Sequence, residues 1–190
     1  MRETVEGRPL DEHDLIERSM NGDAQAFESL VRAHQGMALR IAYLVVRDHS
    51  EAEDVTQDAF IKAHRALGRF RRDSPFRPWL LAIVRNEALN RVRSSKRRER
   101  LVLREGSDPV SRDAAPSPET VVVSDAERAR VLDAIDRLSE RHRAVITSRF
   151  LLELSEEETA QMLGIPAGTV KSRTSRAMDH LRAILEETET

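Results

Sequence analysis

Apolar residues recur at intervals of three and four along most of the chain, whereas the alternation of apolar and polar residues that marks β-strands is nearly absent. This spacing places apolar side chains on one face of an α-helix. It is clearest in residues 23–47, at Phe27, Leu30, Val31, His34, Met37, Ala38, Ile41 and Val45. Because 34% of residues are charged and only 4% are aromatic, the composition also favours helices over a β-sandwich or barrel. The sequence therefore predicts an all-α fold.

One segment, residues 105–123, interrupts this pattern. It contains three of the seven prolines and no apolar periodicity, so we interpret it as a flexible linker between two small helical domains, 11–104 and 124–187. Within these domains, helices are predicted at 11–20, 23–47, 50–68, from between 74 and 78 to 104, 124–138, 140–152, 155–163 and 167–186. Capping boxes are expected where Ser50, Ser124 and Ser155 each precede a glutamate by three residues, and Gly68 is expected to end the third helix.

Several classes of protein are excluded by what the chain lacks. It has no cysteine, which excludes disulfide scaffolds, cysteine-containing zinc sites and cysteine nucleophiles. No apolar run approaches the roughly 18–20 residues that span a bilayer, and the first residues lack the apolar stretch of a signal peptide. We therefore expect a soluble, cytoplasmic protein with no direct membrane contact, no metal site and no cofactor.

Charge is distributed very unevenly, although the formal net charge is only −2. Between Lys62 and Arg104 there are 14 basic and three acidic residues, a formal charge of +11, so the rest of the chain carries −13. Such a basic block inside an acidic chain indicates a polyanionic partner at one surface and a different partner elsewhere. A solvated arginine-rich helix face is the alternative, but an unpartnered field of this size would repel itself.

Residues 156–185 have the spacing of a helix-turn-helix. Ala160 is small where two helices approach, Gly164 lies four residues later at the turn, and Val170 follows facing the core. Pro166 cannot continue the first helix. The second helix begins with residue types that reach base edges and phosphates in the major groove: Thr169, Lys171, Ser172, Arg173, Ser175 and Arg176. An ordinary helical hairpin is the alternative, but the combined spacing favours binding of duplex DNA.

The helix that follows Pro78 combines a core face with a polar stripe. Apolar positions that can face a core are Leu80, Ile83, Val84, Ala88 and Val92, whereas the other side carries Asn86, Asn90, Arg93 and Arg97 at spacings of four, three and four. Asparagine and arginine suit bases and phosphates. The preceding segment mixes arginines with aromatic rings, which suits single-stranded bases, and its candidates are Phe70, Arg71, Arg72, Asp73, Ser74, Phe76 and Trp79. Core packing of Phe76 and Trp79 is the alternative.

Acidic residues cluster at the start of the third predicted helix, where Glu51, Glu53, Asp54 and Asp58 accompany Gln57 and Phe60. Three interpretations are open. Acidic side chains there stabilise the helix dipole, or the face docks on another protein, or Asp54 and Asp58 ligate a divalent metal in a nuclease. A nuclease would need further carboxylates and a base, and although His49 is near, no second cluster is evident.

Three segments carry a family resemblance: EAEDVTQDAF at 51–60, FRRDSPFRPWL at 70–80 followed by Arg85-Asn86, and GIPAGTVKSR at 164–173. In this order and spacing they resemble a bacterial RNA polymerase sigma factor of the sigma-70 family, in its small extracytoplasmic-function (ECF) group. The similarity covers roughly residues 14–98 and 124–185.

The resemblance implies a transcription initiation factor that is not itself an enzyme. It implies that the acidic helix docks on the clamp helices of the largest polymerase subunit through Glu51, Asp54, Gln57, Asp58 and Phe60. The 70–76 loop and the polar stripe would melt the −10 element and accept a base flipped from the non-template strand. The helix-turn-helix would read the −35 element as duplex and meet the flap of the second-largest subunit. The linker would thread through polymerase channels, and an anti-sigma factor would regulate the chain.

Two positions depart from the family pattern. Thr174 replaces an apolar residue that packs the recognition helix, which could loosen or tilt that helix, and Pro78 replaces a common threonine. Two other functions stay open: a helix-turn-helix regulator that acts without stable polymerase association, and a magnesium-dependent nuclease. The strand-opening surface favours the sigma factor, because a regulator of duplex DNA alone has no use for it.

Overall fold

The computed structural model describes residues 11–104 and 124–187, and every regular element in these ranges is helical. The chain divides near residue 110 into two compact units. The predicted linker at 105–123 lies outside the described residues, and the bounds 11–104 and 124–187 stay a prediction.

The N-terminal unit contains α1 (Glu12–Met20), α2 (Ala24–Val46), α3 (His49–Ala66) and α4 (Phe76–Arg104), with a 3₁₀ turn at Leu67–Arg69. Helix α2 packs against the other three helices, and α3 also packs against α4. Of the apolar residues that the periodicity placed inside, several are buried and the others half-buried. The buried ones are Leu30, Ala38, Ile41, Leu80, Val84 and Ala88, and the half-buried ones are Phe27, Val31, Met37, Val45, Ile83 and Val92. Burial of such side chains from several helices accounts for most of the stability of a unit of this size.

An aspartate caps the start of each of the first three helices. Asp11 caps α1, and Asp23 caps α2 by accepting hydrogen bonds from the amides of Gln25 (2.9 Å) and Ala26 (3.1 Å). Arg18 also donates to the Asp23 carboxylate at 2.7 Å. This hydrogen bond, together with the backbone amides, holds the pKa of Asp23 below its usual value.

Two predicted boundaries of α3 are wrong. The helix begins at His49, because Asp48 has extended backbone and its carboxylate accepts the amide of Glu51 at 2.8 Å. Asp48 is therefore the cap, and Ser50 lies inside the first turn. At the other end α3 stops at Ala66, and Gly68 lies within the 3₁₀ turn that follows rather than ending the α-helix.

The C-terminal unit contains α5 (Ser124–Arg137), α6 (Glu140–Ile146), α7 (Glu156–Leu163) and α8 (Ala167–Glu187). Helix α8 packs against the other three helices. Buried residues of α5, α6 and α8 form a core cluster with Leu138, against which Leu163 of α7 packs. The cluster consists of Ala134, Ile135, Leu138, Val145, Ile146, Ala177 and Leu181.

The predicted helix 140–152 is shorter than expected. It ends at Ile146 and continues as a wider π turn, Thr147–Leu151. The amide of Leu152 donates to the carbonyl of Thr147, and that of Leu154 to the carbonyl of Ser148, both at 3.0 Å. Leu152 and Leu154, which follow this turn, are both buried. In a regular α-helix, residues two positions apart point to nearly opposite sides and would not both face one core.

The helix-turn-helix is confirmed in its local chemistry. Ser155 and Glu158 form the predicted capping box at the start of α7. Gly164 ends the helix with φ of 65°, in the left-handed region that glycine adopts without strain. Val170 is fully buried, so it anchors the second helix against the first as its spacing indicated.

Replacing Gly164 by alanine tests how much the turn depends on this backbone conformation. A Cβ added there meets no atom within 4 Å, so any cost arises from the positive φ alone. We expect Gly164→Ala to lower the free energy of unfolding by about 1–2 kcal/mol. Gly168→Ala is the control, since Gly168 also has open space and no positive φ, and it should be neutral or stabilising. Chemical denaturation of both variants checks this, and equal effects would contradict it.

His142 of α6 should make stability depend on pH. The residue is 6% exposed, its ring lies 4.9 Å from that of His180, and its Nδ1 has no hydrogen-bond partner among the described residues. Burial, followed by the positive charges of His180 and of nearby arginines, lowers its pKa from the usual 6.5. The unfolded chain takes up a proton there more readily than the folded chain. The stability from neutral His142 is therefore present above pH 6.5 and lost as the pH falls below it.

We expect His142→Phe, which keeps a ring but cannot titrate, to lose less stability than the natural chain when the pH is lowered through 6.5. Urea denaturation on either side of this pH measures the difference. His13→Gln, at an exposed position of α1, is the control and should follow the natural chain. If the His142 variant kept the full pH dependence, another group would be responsible.

Candidate protein and nucleic-acid interfaces

The acidic face of α3 consists of Glu51, Asp54 and Asp58, which lie on one side of the helix. The side chains of Asp54 and Asp58 are 61% and 59% exposed, whereas that of Glu51 is 29% exposed. Gln57 is exposed beside them. Two of the predicted carboxylates, those of Asp54 and Asp58, are therefore mostly accessible from solvent.

Phe60 does not belong to this exposed surface. It was predicted to contribute to docking, but it is 8% exposed and packs in the core of the N-terminal unit. A neighbouring apolar residue that the sequence analysis missed, Ile61, is 49% exposed. Both lie on α3, and the periodicity alone did not show which of two adjacent apolar residues faces inward.

Arg91 of α4 lies across the acidic face. Its guanidinium is 3.3 Å from Oε2 of Glu51, and it is 3.9 Å from Oδ2 of Asp54 and 3.9 Å from Oδ2 of Asp58. Arg91 belongs to the basic block between Lys62 and Arg104, and its position in the sequence indicates no particular role. A contact between residues of two different helices leaves no spacing signal within either helix.

The polar stripe of α4 consists of Asn86, Asn90, Arg93 and Arg97, and the structure places all four on an exposed face. The opposite side of the helix is buried through Leu80, Val84 and Ala88. A groove of about 430 Å³ adjoins the stripe between α3 and α4, lined by Val55, Asp58, Glu87, Asn90, Arg91, Ser94, Arg97 and Arg98. The stripe and the acidic face therefore border the same groove.

The aromatic cluster consists of Phe70, Phe76 and Trp79, and it corrects one expectation. Phe70 and Phe76 are 5% and 1% exposed, so their rings are not presented to bases as predicted. Instead the ring centroids of Phe70 and Phe76 are 5.7 Å apart, and that of Trp79 lies 4.9 and 5.4 Å from them. Each ring buries its apolar area against the other two, and only Trp79 stays partly accessible.

Between Phe70 and Phe76, the 71–75 loop is accessible. Arg71, Arg72 and Asp73 are exposed, and Ser74 is half-buried with its amide bonded to the carbonyl of Arg71 at 2.9 Å. The backbone amide of Asp73 and the neighbouring Arg71 hold the pKa of Asp73 below its usual value. Arg72 pairs with Glu17 of α1 at 3.1 Å. The cluster therefore fixes both ends of a loop whose polar side chains point outward.

The recognition face of α8 carries the six residues predicted to read duplex DNA. Lys171, Ser172, Ser175 and Arg176 are exposed, and Thr169 and Arg173 are half-buried. The other side of the helix is buried through Val170, Ala177 and Leu181. The hydroxyl of Thr174 is buried without a hydrogen-bond partner among the described residues.

The described ranges also bear on metal and membrane binding. In residues 11–104 and 124–187, no three His, Asp or Glu side chains lie close enough to hold a metal ion together. No helix described there is long and apolar enough to cross a bilayer. The positions of Asp54 and Asp58 beside Arg91 are those of an ion-pair cluster.

Family models place both units. Sigma-70 region 2 matches residues 30–98, and Sigma-70 region 4 matches residues 134–183. The chain is 38% identical over 181 residues to RNA polymerase sigma-H factor of Pseudomonas aeruginosa, covering 92% of this chain and 94% of that protein. It is 36% identical over 178 residues to ECF RNA polymerase sigma-E factor of Escherichia coli K12, covering 90% and 92%.

Solved structures with similar folds include CnrH in complex with the cytosolic domain of CnrY, with a TM-score of 0.69, 26% identity, and coverage of 93% of this chain and 99% of that one. Another is the sigma factor RpoE in complex with the anti-sigma factor NepR from Bartonella quintana, with a TM-score of 0.66, 27% identity, and coverage of 86% and 98%. With both region models matched and relatives similar over nearly their whole length, the chain belongs to the sigma-70 family of RNA polymerase sigma factors, in its ECF group.

Proposed function

We propose that the chain directs core RNA polymerase to promoters through three separate faces. The acidic face docks on the clamp helices of the largest subunit, the polar stripe and 71–75 loop engage the melted −10 element, and the recognition face reads the −35 duplex. The observation that carries this division is the presence of an acidic and a basic surface on adjacent helices of one unit. Family membership favours this function over a free-standing regulator or a nuclease.

Exposed charge supports the docking role of α3. Asp54 and Asp58 are about 60% exposed, so they meet an approaching cationic surface at little desolvation cost. Ile61 is exposed on the same helix and offers apolar area to the same partner. Charges of this kind accelerate encounter and fix orientation, while a buried apolar anchor adds affinity.

The −10 element would be bound by polar groups. Asn86 and Asn90 carry amides that can donate to and accept from base edges, and Arg93 and Arg97 supply cations for the backbone. Because Phe70 and Phe76 are buried, the flipped base would enter a pocket formed by the 71–75 loop rather than stack on these rings. Trp79, which is partly accessible, is the one ring of the cluster that a base could contact.

The −35 element would be read by α8. Its N-terminal turns carry exposed Lys171, Ser172, Ser175 and Arg176 on a helix whose other face is buried, the arrangement in which a helix enters the major groove. Arginine pairs bidentately with guanine, whereas serine, threonine and lysine mainly contact phosphates. We also propose that this unit meets the flap of the second-largest subunit.

The remaining partners follow from the family. An anti-sigma factor would regulate the chain by covering these faces, and the similar structure of RpoE in complex with the anti-sigma factor NepR supports such a partner. Residues 105–123 would connect the two promoter-binding units through polymerase channels. Polymerase would supply all bond chemistry, so the chain would need no catalysis and no cofactor of its own. It would act in the cytoplasm, where polymerase is found.

Removing the two exposed carboxylates tests the docking assignment. We expect Asp54→Asn with Asp58→Asn to weaken binding to core polymerase roughly tenfold or more, because each loses a charge at the interface. Titration of labelled chain with core polymerase measures this, and run-off transcription on promoter fragments should fall in parallel. Asp14→Asn with Glu28→Gln removes the same charge from exposed positions of α1 and α2 as a control. Undiminished binding by the Asp54/Asp58 variant would refute the assignment.

Arginines of the recognition face test the −35 assignment. Substituting Arg173 or Arg176 by alanine should weaken −35-dependent initiation by about 1–3 kcal/mol if the residue contacts a base. Arg182→Ala, farther along α8 and paired with Asp179, should have little effect. The measurement is run-off transcription by reconstituted holoenzyme on promoters with intact and altered −35 elements. Unchanged −35 selectivity in both variants would mean that α8 docks in another way.

A further inference from the structure

Arg91 occupies a position that none of the three proposed faces explains. It lies on α4, directly after Asn90 of the polar stripe, yet its guanidinium is directed at the acidic face of α3. Its side chain is 30% exposed, so its ion pairs are screened by solvent less than fully exposed pairs are. Arg91 therefore connects α3, which is proposed to bind polymerase, with α4, which is proposed to bind DNA.

The acidic face has a physical need for such a cation. Glu51, Asp54 and Asp58 stand at spacings of three and four on one side of a helix, where like charges repel. An arginine carries five donors in a planar fork and can serve several carboxylates at once. Without it, the three carboxylates would separate, and each would adopt a wider range of rotamers.

The three contacts are unequal, which assigns different roles to the carboxylates. Glu51 is 29% exposed and makes the shorter contact of 3.3 Å, so it anchors the guanidinium. Asp54 and Asp58 are at 3.9 Å and stay about 60% exposed, so they are oriented by Arg91 but keep oxygens available for a partner. Glu51 would then act through Arg91 rather than by contacting polymerase itself.

We propose that Arg91 is a positioning residue for polymerase docking, which holds Asp54 and Asp58 in the orientation that the clamp helices bind. This inference rests on the proposed docking function of the acidic face. Arg91 also lines the groove that contains Asn90 and Arg97, so direct contact with DNA is the competing role. If Arg91 positions Asp54 and Asp58, its effect on polymerase binding requires these two carboxylates. If Arg91 contacts DNA instead, its effect does not depend on them.

A double-mutant cycle on polymerase binding separates these roles. We expect Arg91→Gln to weaken binding to core polymerase about threefold to tenfold, the scale of a partly shielded ion-pair cluster. In a background that already carries Asp54→Asn and Asp58→Asn, the same substitution should have no further effect. Lys96→Gln removes one charge from an exposed position of α4 as the matched control and should leave binding unchanged.

Arg91→Lys provides a second test, because it keeps the charge and the aliphatic stem and therefore guards against simple misfolding. Lysine cannot span three carboxylates with one planar group, so its affinity should fall between those of the natural chain and the glutamine variant. Thermal unfolding of each variant, followed alongside, shows whether the fold is retained.

The outcomes distinguish failure of this inference from failure of the docking assignment. If Asp54→Asn with Asp58→Asn leaves binding intact, the docking assignment fails and Arg91 has no docking role to support. If that pair weakens binding while Arg91→Gln has no effect, or an equal effect in both backgrounds, only the inference about Arg91 is overturned. Tighter binding by Arg91→Gln would also overturn it, because Arg91 would then compete with polymerase for the carboxylates.

Discussion

Burial of one face of α4 against α2 and α3 is the constraint on which the N-terminal unit depends. Leu80, Leu81, Val84 and Ala88 have no exposed area, and fully burying a leucine or valine side chain is worth roughly 1.5–3 kcal/mol. Once this face is fixed, the helical repeat determines where every other residue of α4 points. Asn86, Asn90, Arg93 and Arg97 must face outward, and Arg91 must lie over α3. The functional surfaces are therefore positioned by the same apolar contacts that stabilise the fold, and they need no separate scaffold.

The formal net charge of −2 conceals a strongly basic block within an acidic chain, and ion pairs neutralise part of this block. Several cations of the basic block have acidic partners within the N-terminal unit, as in the pairs of Lys62 with Glu87 and Arg72 with Glu17. The Arg72–Glu17 pair is largely exposed and contributes little stability, whereas Glu87 is only 16% exposed beneath Lys62. These pairs offset part of the positive charge of the basic block in the free chain.

Periodicity and cap chemistry predicted most of the fold because both are local. The helices, the capping box at Ser155 and the left-handed glycine at Gly164 depend on residues a few positions apart, and the structure confirms them. The errors concern choices between neighbours or between distant elements. Asp48 and Ser50 are two residues apart and both suit an N-cap, so the sequence alone did not show that Asp48 caps α3. The rings of Phe70 and Phe76 are buried because each has the other and Trp79 as partners, which composition alone could not reveal. Arg91 was missed because its partners lie on another helix.

Thr174 shows how the recognition helix tolerates a polar residue in its packing face. Val170, Thr174, Ala177 and Leu181 follow one another at spacings of four, three and four, so threonine occupies a position in the stripe that holds α8 to its unit. The residues on both sides of it are buried, and α8 is continuous from Ala167 to Glu187. Contacts on both sides of Thr174 therefore hold α8 against its unit. A buried hydroxyl without a hydrogen-bond partner among the described residues costs about 1–3 kcal/mol, so Thr174 weakens this packing relative to an apolar side chain of similar size.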